Sequence, residues 1–163
     1  MKIEVAGLSE AAEVASILQA AARWLIESGK PLWSPTDFSV EKLKDDVLSG
    51  QVIAARLDGA IVGVMMFQLE DTIFWPDDEI GTSAFVHKLA VHRSFSGTGI
   101  STELLTFAKN KAQSLNLKQL RLDCVADRTK LRDIYESFGF RLHSYVTKWN
   151  RDFARYELPL ETS

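Results

Sequence analysis

Two glycines that follow an apolar segment constrain this chain most. Residues 84–91 are mostly apolar and predict a buried strand, Gly97 and Gly99 follow in a short polar stretch, and a helical pattern of apolar residues begins at Ile100. Glycine adopts left-handed backbone conformations readily, so N–H groups in such a turn can converge on an anion, where the positive end of the helix dipole also points. The pattern predicts a turn that binds a phosphorylated cofactor.

The residues after Gly99 disfavour a nucleoside triphosphate. A Walker loop places Lys and Ser or Thr directly after its glycines, whereas Ile100 and Ser101 stand here. The dinucleotide fingerprint requires a small residue three positions after Gly99, and Thr102 occupies that position. A Rossmann-type nucleotide-binding domain is therefore only an alternative interpretation.

Length and composition predict one domain over residues 1–163. The chain has 163 residues, of which 46% are hydrophobic, enough for a sizeable core. With 19 basic and 22 acidic side chains the net charge is −3, which indicates neither a nucleic-acid partner nor a membrane partner. The single cysteine, Cys124, excludes an internal disulfide, and no Cys/His spacing predicts a metal. No apolar leader or span of about 18 residues is present, so we expect a cytoplasmic protein.

The glycine turn and the strand before it resemble motif A of the GNAT acetyltransferases. That motif reads Gln or Arg, two variable residues, Gly, a variable residue, and Gly or Ala, often after a strand that ends in Leu-Ala-Val. The resemblance implies that acetyl-CoA is the cofactor, with its pantetheine arm beside Leu89, Ala90 and Val91. It also implies that the diphosphate binds the six motif positions, which here are Ser96, Gly97, Thr98, Gly99, Ile100 and Ser101. Because Ser96 replaces a long polar side chain, backbone amides would carry more of this contact.

Residues 127–140 resemble motif B of the same family, in which Asn and Ala precede the sequence Tyr-Glu-x-x-Gly-Phe. Tyr135 and the Glu, Gly and Phe of this pattern match in place, whereas Arg128 and Leu131 replace the usual Asn and Ala. The resemblance implies coenzyme contacts at Arg128 and Tyr135, and a catalytic role for Tyr135 as the acid that protonates the departing thiolate. The alternative is that Tyr135 only packs, because it lies on the apolar stripe of its helix.

His87 is the candidate general base. Strand alternation places Phe85, His87 and Leu89 on one face, which faces the substrate if the family arrangement holds. Imidazole titrates near neutral pH and can accept the proton that an amine must lose before it attacks. The strand end also resembles that of arylalkylamine acetyltransferases, which carry histidine in this neighbourhood. The alternatives are a half-buried histidine bonded to the backbone, or a water relay to Glu79 or Asp78.

Aromatic and acidic residues predict where the acceptor binds. Trp24 and Trp33 flank the segment between the first two predicted helices, where GNAT proteins usually build the acceptor pocket. With Phe85 and Glu79, they would suit an amine with an apolar body. The alternatives are tryptophans of the core and a solvated acidic loop.

The apolar periodicities predict the element order β-α-α-β-β-β-α-β-α-β-β, with a hairpin turn at Asp58-Gly59 and N-caps at Ser9, Ser39 and Asp127. The resemblance implies the GNAT fold, an α/β (α+β) fold with a mixed, mostly antiparallel central sheet of about seven strands, helices on both faces, and splayed strands at residues 84–91 and 120–125.

The expected function is acetyl transfer from acetyl-CoA directly to a primary amine of a small molecule or peptide, without a metal, by a monomer or homodimer. A catalytically silent acyl-CoA-binding regulatory or sensor module is the alternative. The acceptor amine stays open.

Overall fold

A computed structural model describes residues 1–161, so Thr162 and Ser163, the last two residues of the predicted domain, lie outside the described residues. None of the helices within residues 1–161 has both the length and the hydropathy that crossing a bilayer requires. The predicted order of strands and helices is confirmed. The elements are β1 (Lys2–Val5), α1 (Ala11–Glu27), α2 (Val40–Leu48), β2 (Val52–Leu57), β3 (Ala60–Gln68), β4 (Ser83–Val91), α3 (Ile100–Ser114), β5 (Gln119–Val125), α4 (Thr129–Phe138), β6 (Arg141–Lys148) and β7 (Arg151–Pro159).

The strands form a sheet in the order β1-β2-β3-β4-β5-β7-β6. The pairs β1–β2, β2–β3, β5–β7 and β6–β7 are antiparallel, and β4–β5 is parallel. A Rossmann sheet is parallel almost throughout, so these antiparallel pairs exclude that alternative. The predicted mixed, mostly antiparallel sheet is confirmed.

The parallel ladder between β4 and β5 is short. It runs over three residue pairs, from Ser83 with Gln119 to Phe85 with Arg121, although both strands continue beyond these pairs. His87 and Asp123 each lie two residues past the last pair. Because side chains alternate along a strand, each points to the same face of its strand as the paired residue before it.

The chain divides into two compact units, Met1–Met66 with Lys88–Leu104, and Phe67–His87 with the chain from Leu105 onward. In the first unit, the apolar faces of α1 and α2 bury Val14, Leu18 and Leu43 in one core with residues of β2 and β3. In the second unit, alternating residues of β5 and β7 are buried, among them Leu120, Leu122, Ala154 and Tyr156.

Local signals placed some element ends correctly and others not. The Ser39 hydroxyl accepts a hydrogen bond from the Lys42 N–H at 3.2 Å, which confirms this N-cap. The prediction for Ser9 is wrong, because Ser9 lies in a short 3-10 helix (Leu8–Glu10) and α1 begins at Ala11. The prediction for Asp127 is also wrong, because the turn after β5 is one residue longer and Arg128 holds the N-cap position of α4.

Candidate functional site

The turn between β4 and α3 has the backbone geometry of an anion cradle. Gly97 and Gly99 have φ angles of 78° and 89°, values that residues with side chains rarely adopt. A Cβ built on either glycine would meet no heavy atom within 4 Å. Residues 96–99 are exposed, and Ile100 behind them is buried. The open space over this turn fits a bound diphosphate.

The start of α3 adds unpaired backbone donors to the turn. The first hydrogen bond of the helix is donated by the Glu103 N–H to the Gly99 carbonyl at 3.1 Å. The N–H groups of Gly99, Ile100 and Ser101 therefore precede the helical ladder, where α-helical geometry offers them no partner within the helix. These three amides, together with the helix dipole, favour an anion at the turn.

Two other residues of the predicted cradle serve the turn itself. The Ser96 N–H donates to the Arg93 carbonyl at 3.1 Å, and the short Ser96 side chain is exposed. The N–H and the hydroxyl of Thr98 both donate to the Phe95 carbonyl. Thr98 thus holds the loop conformation, and the glycine and helix amides remain as the donors for a ligand.

The end of β4, predicted to hold the pantetheine arm, contains a local irregularity. Leu89 and Val91 are half-buried, and Ala90 is buried in the core of the first unit. Lys88 has a φ of 53°, which interrupts the regular alternation of faces predicted for residues 85–91. Just after the strand, the His92 N–H donates to the Val62 carbonyl at 2.8 Å, which fixes this end to β3.

Trp24 and Trp33 belong to the first unit and are each half-buried. The guanidinium carbon of Arg93 lies 4.0 Å from the centroid of the Trp24 ring, a cation–π distance. The Trp33 ring meets Phe38 edge-on, with 5.6 Å between centroids. Both indoles are thus partly packed and partly open.

The other two residues predicted to bind the acceptor, Glu79 and Phe85, belong to the second unit. Phe85 is only 1% exposed, and its centroid lies 6.5 Å from that of Trp75. Glu79 is exposed, and its carbonyl accepts a hydrogen bond from the Thr82 hydroxyl at 2.6 Å. Of the two side chains, only that of Glu79 is open to solvent.

Tyr135, the predicted acid, is buried in the second unit. Its ring lies 5.9 Å from Phe140 and 6.0 Å from Tyr156 between centroids. Burial, reinforced by Cys124 and Asp123, raises the pKa of the phenol above its ordinary value, so Tyr135 carries its proton at neutral pH. Arg128 lies at the start of the same helix, where its N–H donates to the Val125 carbonyl at 3.0 Å. The roles of Tyr135 and Arg128 stay predictions.

His87, the predicted base, lies beside two aspartates that the sequence analysis did not single out. Its Nε2 atom is 3.3 Å from Asp71 Oδ2. One ligand atom from each of Asp71, His87 and Asp123 lies within 4.8 Å of the other two. The side chains of His87 and Asp71 are 20% and 5% exposed. We call these three residues the aspartate–histidine cluster.

The carboxylates of the cluster are held but not fully hydrogen-bonded. Asp71 Oδ1 accepts the N–H groups of Ile73 and Phe74 at 3.0 and 2.9 Å. Asp71 Oδ2 and Asp123 Oδ2 are buried, and neither has a hydrogen-bond partner among the described residues. The 3.3 Å contact between His87 and Asp71 is therefore an ion-pair distance rather than a well-formed hydrogen bond.

Burial and neighbouring charges shift the pKa values of the two carboxylates in opposite directions. For Asp71, burial raises the pKa, but the interaction with His87 and the two backbone N–H groups outweigh it, so the net pKa is lowered. For Asp123, burial dominates; the charge of Asp71 adds to it, His87 and Arg155 oppose it, and the pKa rises to about 7. At neutral pH Asp71 is thus ionised, whereas Asp123 is close to its midpoint.

One local signal for this cluster is present in the sequence, an aspartate inside the otherwise apolar end of β5, between Leu122 and Cys124. Asp71 lies in the loop after β3, and no local pattern connects it with the strands. The separation of the three ligand atoms also meets the requirement for a metal ion, which Cys/His spacing in the sequence did not indicate. The absence of a metal stays a prediction.

Comparisons with known proteins agree on one family. The model of the Acetyltransferase (GNAT) family matches residues 18–140. The chain is also 28% identical over 137 residues to the uncharacterized N-acetyltransferase YesJ of Bacillus subtilis (strain 168), covering 80% of this chain and 76% of that protein. A family match over most of the chain and a relative covered over most of its length point to the same class.

Solved structures give the same result for the fold. A GNAT-family acetyltransferase from Listeria monocytogenes 4b F2365 is 26% identical, with a TM-score of 0.78 and coverage of 98% of this chain and 94% of that one. The putative acetyltransferase yncA from Salmonella typhimurium, solved with acetyl-CoA, has a TM-score of 0.78 at 15% identity and coverage of 100% and 95%. The PaiA N-acetyltransferase from Thermoplasma acidophilum, solved with coenzyme A, has a TM-score of 0.75 at 14% identity and coverage of 94% and 96%.

Proposed function

Because the chain belongs to the Acetyltransferase (GNAT) family, we propose that it transfers an acetyl group from acetyl-CoA directly to a primary amine of a small molecule or peptide. The observation that carries the proposal is the open turn at Gly97 and Gly99, from which α3 starts. Such a turn is suited to a diphosphate, and acetyl-CoA contains one.

In this proposal, the chain holds the coenzyme chiefly through its backbone. The amides of Gly97, Gly99, Ile100 and Ser101 bind the diphosphate, and the two glycines provide the close approach. Backbone groups of Leu89, Ala90 and Val91 bind the pantetheine arm, and Arg128 adds a positive charge. The coenzymes named for the Salmonella and Thermoplasma structures support this assignment. Bound acetyl-CoA supplies the acetyl group, activated as a thioester.

The reaction sets two proton requirements. A carbon–nitrogen bond forms and a carbon–sulfur bond breaks, with the electron pair of the latter leaving on sulfur. An alkylamine enters mostly as ammonium at neutral pH and loses two protons in total. One proton ends on sulfur and the other passes to solvent. The protein therefore needs a proton acceptor for the amine and a proton donor for the sulfur.

Tyr135 and His87 are the proposed donor and acceptor. The raised pKa of Tyr135 keeps the phenol protonated at neutral pH, so a proton is present for transfer to the departing thiolate. His87 is 20% exposed, so its ring can be reached by a substrate. Each residue provides one of the two proton transfers.

The acceptor class follows from the four residues predicted to bind it. Trp24 and Trp33 present half-buried aromatic faces, which favour an apolar body or a cation. Glu79 is exposed, whereas Phe85 in β4 is buried. An amine with an aromatic or aliphatic body is the class that the two indoles suit.

A silent acyl-CoA-binding module is the second candidate function, favoured by the enclosure of Tyr135, which is only 4% exposed. The decisive experiment measures thiol release from acetyl-CoA with amino acids, polyamines, arylalkylamines, aminoglycosides and N-terminal peptides, alongside calorimetry with coenzyme A. Release with any of these amines supports the transferase. Binding without release across the panel supports the silent module, and the absence of binding contradicts both.

A further inference from the structure

We propose that Asp71, His87 and Asp123 act as a single proton-accepting centre in which His87 takes the proton of the acceptor amine and the two aspartates act through His87. The proposal rests on the proposed acetyl transfer and names the groups that prepare the amine for attack. It assigns a role to two carboxylates that each have one buried oxygen, and neither belongs to the glycine turn or to the helix that carries Tyr135.

The three residues differ in their exposure to solvent. The side chain of His87 is 20% exposed, that of Asp71 is 5% exposed, and Asp123 Oδ2 is buried. The imidazole is more accessible than the Asp71 side chain or the Oδ2 atom of Asp123, so we assign it the contact with the amine and the role of the catalytic member of the cluster. Asp71 and Asp123 are positioning residues, because their effect reaches the substrate through His87.

Asp71 fixes the state of the imidazole ring. Its Oδ1 is held by the N–H groups of Ile73 and Phe74, so its Oδ2 faces His87 Nε2 at 3.3 Å without freedom to rotate away. An ionised carboxylate at this distance favours a proton on Nε2, which leaves Nδ1 with the free electron pair. Asp71 thus selects which nitrogen accepts the proton of the amine.

Asp123 places a second carboxylate beside the ring. A buried carboxylate without a hydrogen-bond partner is costly to ionise, but a positive charge on His87 reduces this cost. When His87 accepts a proton, Asp123 is therefore driven toward its ionised form, so the charges of the two groups are coupled. The coupling stabilises the imidazolium at the moment when the amine becomes neutral.

The proton balance is simple. The amine nitrogen keeps the electron pair of its N–H bond, and the proton binds Nδ1 of His87 and then returns to solvent from the partly exposed ring. The charged groups that face the centre come from four elements of the second unit. They are Asp71 in the loop after β3, His87 in β4, Asp123 in β5, and Arg155 in β7, which pairs with Asp123 in the strand register.

The first test needs no enzymatic activity. The side-chain carboxyl carbons of the full-length protein are followed by NMR across pH, and the signal of Asp123 is identified by its loss in Asp123→Asn. We expect the Asp123 signal to titrate with a midpoint near pH 7. The midpoint should rise by about one pH unit in His87→Gln and fall by a similar amount in Asp71→Asn. Asp58→Asn, an equal charge change in an exposed hairpin turn, should leave it unchanged.

An Asp123 midpoint that ignores the His87 substitution overturns the proposal. Because His87 is partly exposed, the His87→Gln variant tests the proposal even if Asp71→Asn does not fold. Because the titration is independent of acetyl transfer, an inactive protein with coupled titration would contradict the proposed function and leave the coupled cluster standing.

The second test uses the amine with the largest thiol release in the screen. Asp71→Asn removes the carboxylate that stays ionised beside His87, and it should move the acidic limb of the kcat/KM profile to lower pH and lower the plateau at least tenfold. A purely structural role for the aspartates would lower the rate equally at every pH and leave the limb in place. Loss of activity in EDTA that Zn²⁺ restores would also overturn the proposal, because a metal would occupy the imidazole.

Discussion

Gly63 in β3 packs directly against Ile100, the first residue of α3. A Cβ on Gly63 would lie 2.9 Å from Ile100 Cγ2, 3.3 Å from Leu104 Cδ1 and 3.4 Å from the Ala90 carbonyl oxygen. Contacts this short require the neighbouring atoms to move. The strand and the helix approach each other this closely because residue 63 has no side chain, and the amides at the start of α3 are positioned by that contact.

Gly63→Ala should therefore weaken both stability and coenzyme binding. The added methyl group pushes on Ile100, and overpacking of this kind costs about 1–3 kcal/mol. Chemical denaturation measures the loss of stability, and calorimetry with coenzyme A should show weaker binding because the helix start is displaced. Gly7→Ala is the matched control, since a Cβ there meets its nearest atom at 3.7 Å. Unchanged coenzyme affinity in a destabilised Gly63 variant would show that the packing of β3 against Ile100 does not position the amides of the cradle.

Gly99→Ala should reduce coenzyme affinity at least tenfold. The φ of Gly99 is 89°, so a side chain strains the backbone by about 1–2 kcal/mol and also occupies the space proposed for the diphosphate. Gly59→Ala is the control, because Gly59 has a φ of 84° and equally open surroundings but lies in a hairpin turn. Both variants should lose similar stability, and calorimetry should detect weaker binding only for Gly99. Equal affinities in the two variants would count against the cradle.

Tyr135→Phe should lower kcat by about 10²–10⁴-fold, the usual contribution of a positioned acid, while coenzyme affinity stays the same. The ring contacts with Phe140 and Tyr156 do not involve the hydroxyl group and should be kept. Steady-state kinetics and calorimetry measure the two quantities. Tyr145→Phe, which removes an exposed hydroxyl that Arg132 contacts, serves as the control. Turnover equal to that of the wild type would restrict Tyr135 to packing.

Asp123→Asn should stabilise the protein at alkaline pH. Burial raises the pKa of Asp123 from 3.8 to about 7, so the folded protein retains a proton that the unfolded chain has released. Wild-type stability therefore falls as pH rises from about 4 to about 7, and it does not recover above this range.

The variant lacks this penalty. It should be more stable than the wild type by up to about 4 kcal/mol at pH 8, since each of the three pKa units is worth about 1.4 kcal/mol, and the difference should vanish near pH 4. Denaturant titrations at both pH values measure it. Asp58→Asn, in the exposed turn, should show no such pH dependence. A variant less stable than the wild type at pH 8 would mean that Asp123 is ionised at little cost.

Two hairpins illustrate which local features could be predicted. Asp58-Gly59 between β2 and β3 was predicted, and both residues have the positive φ of a tight turn, 52° and 84°. The turn between β6 and β7 uses Trp149 and Asn150, with φ of 51° and 60°. Tryptophan has no preference for this conformation, so no local signal predicts the turn that precedes β7 at Arg151. Pairing between the strands overrides the local preference there.

The sequence alone determined the order of the elements, the glycine turn and the family resemblance, because these depend on residues close together along the chain. Periodicity shows which face of a helix or strand is apolar, and glycine marks where the backbone needs a positive φ. Only the tertiary structure decided that Asp71 and Asp123 accompany His87, and that Gly63 supports Ile100. These contacts join residues from separate elements, and their burial and charge, which set the pKa of Asp123, do not exist until the chain has folded.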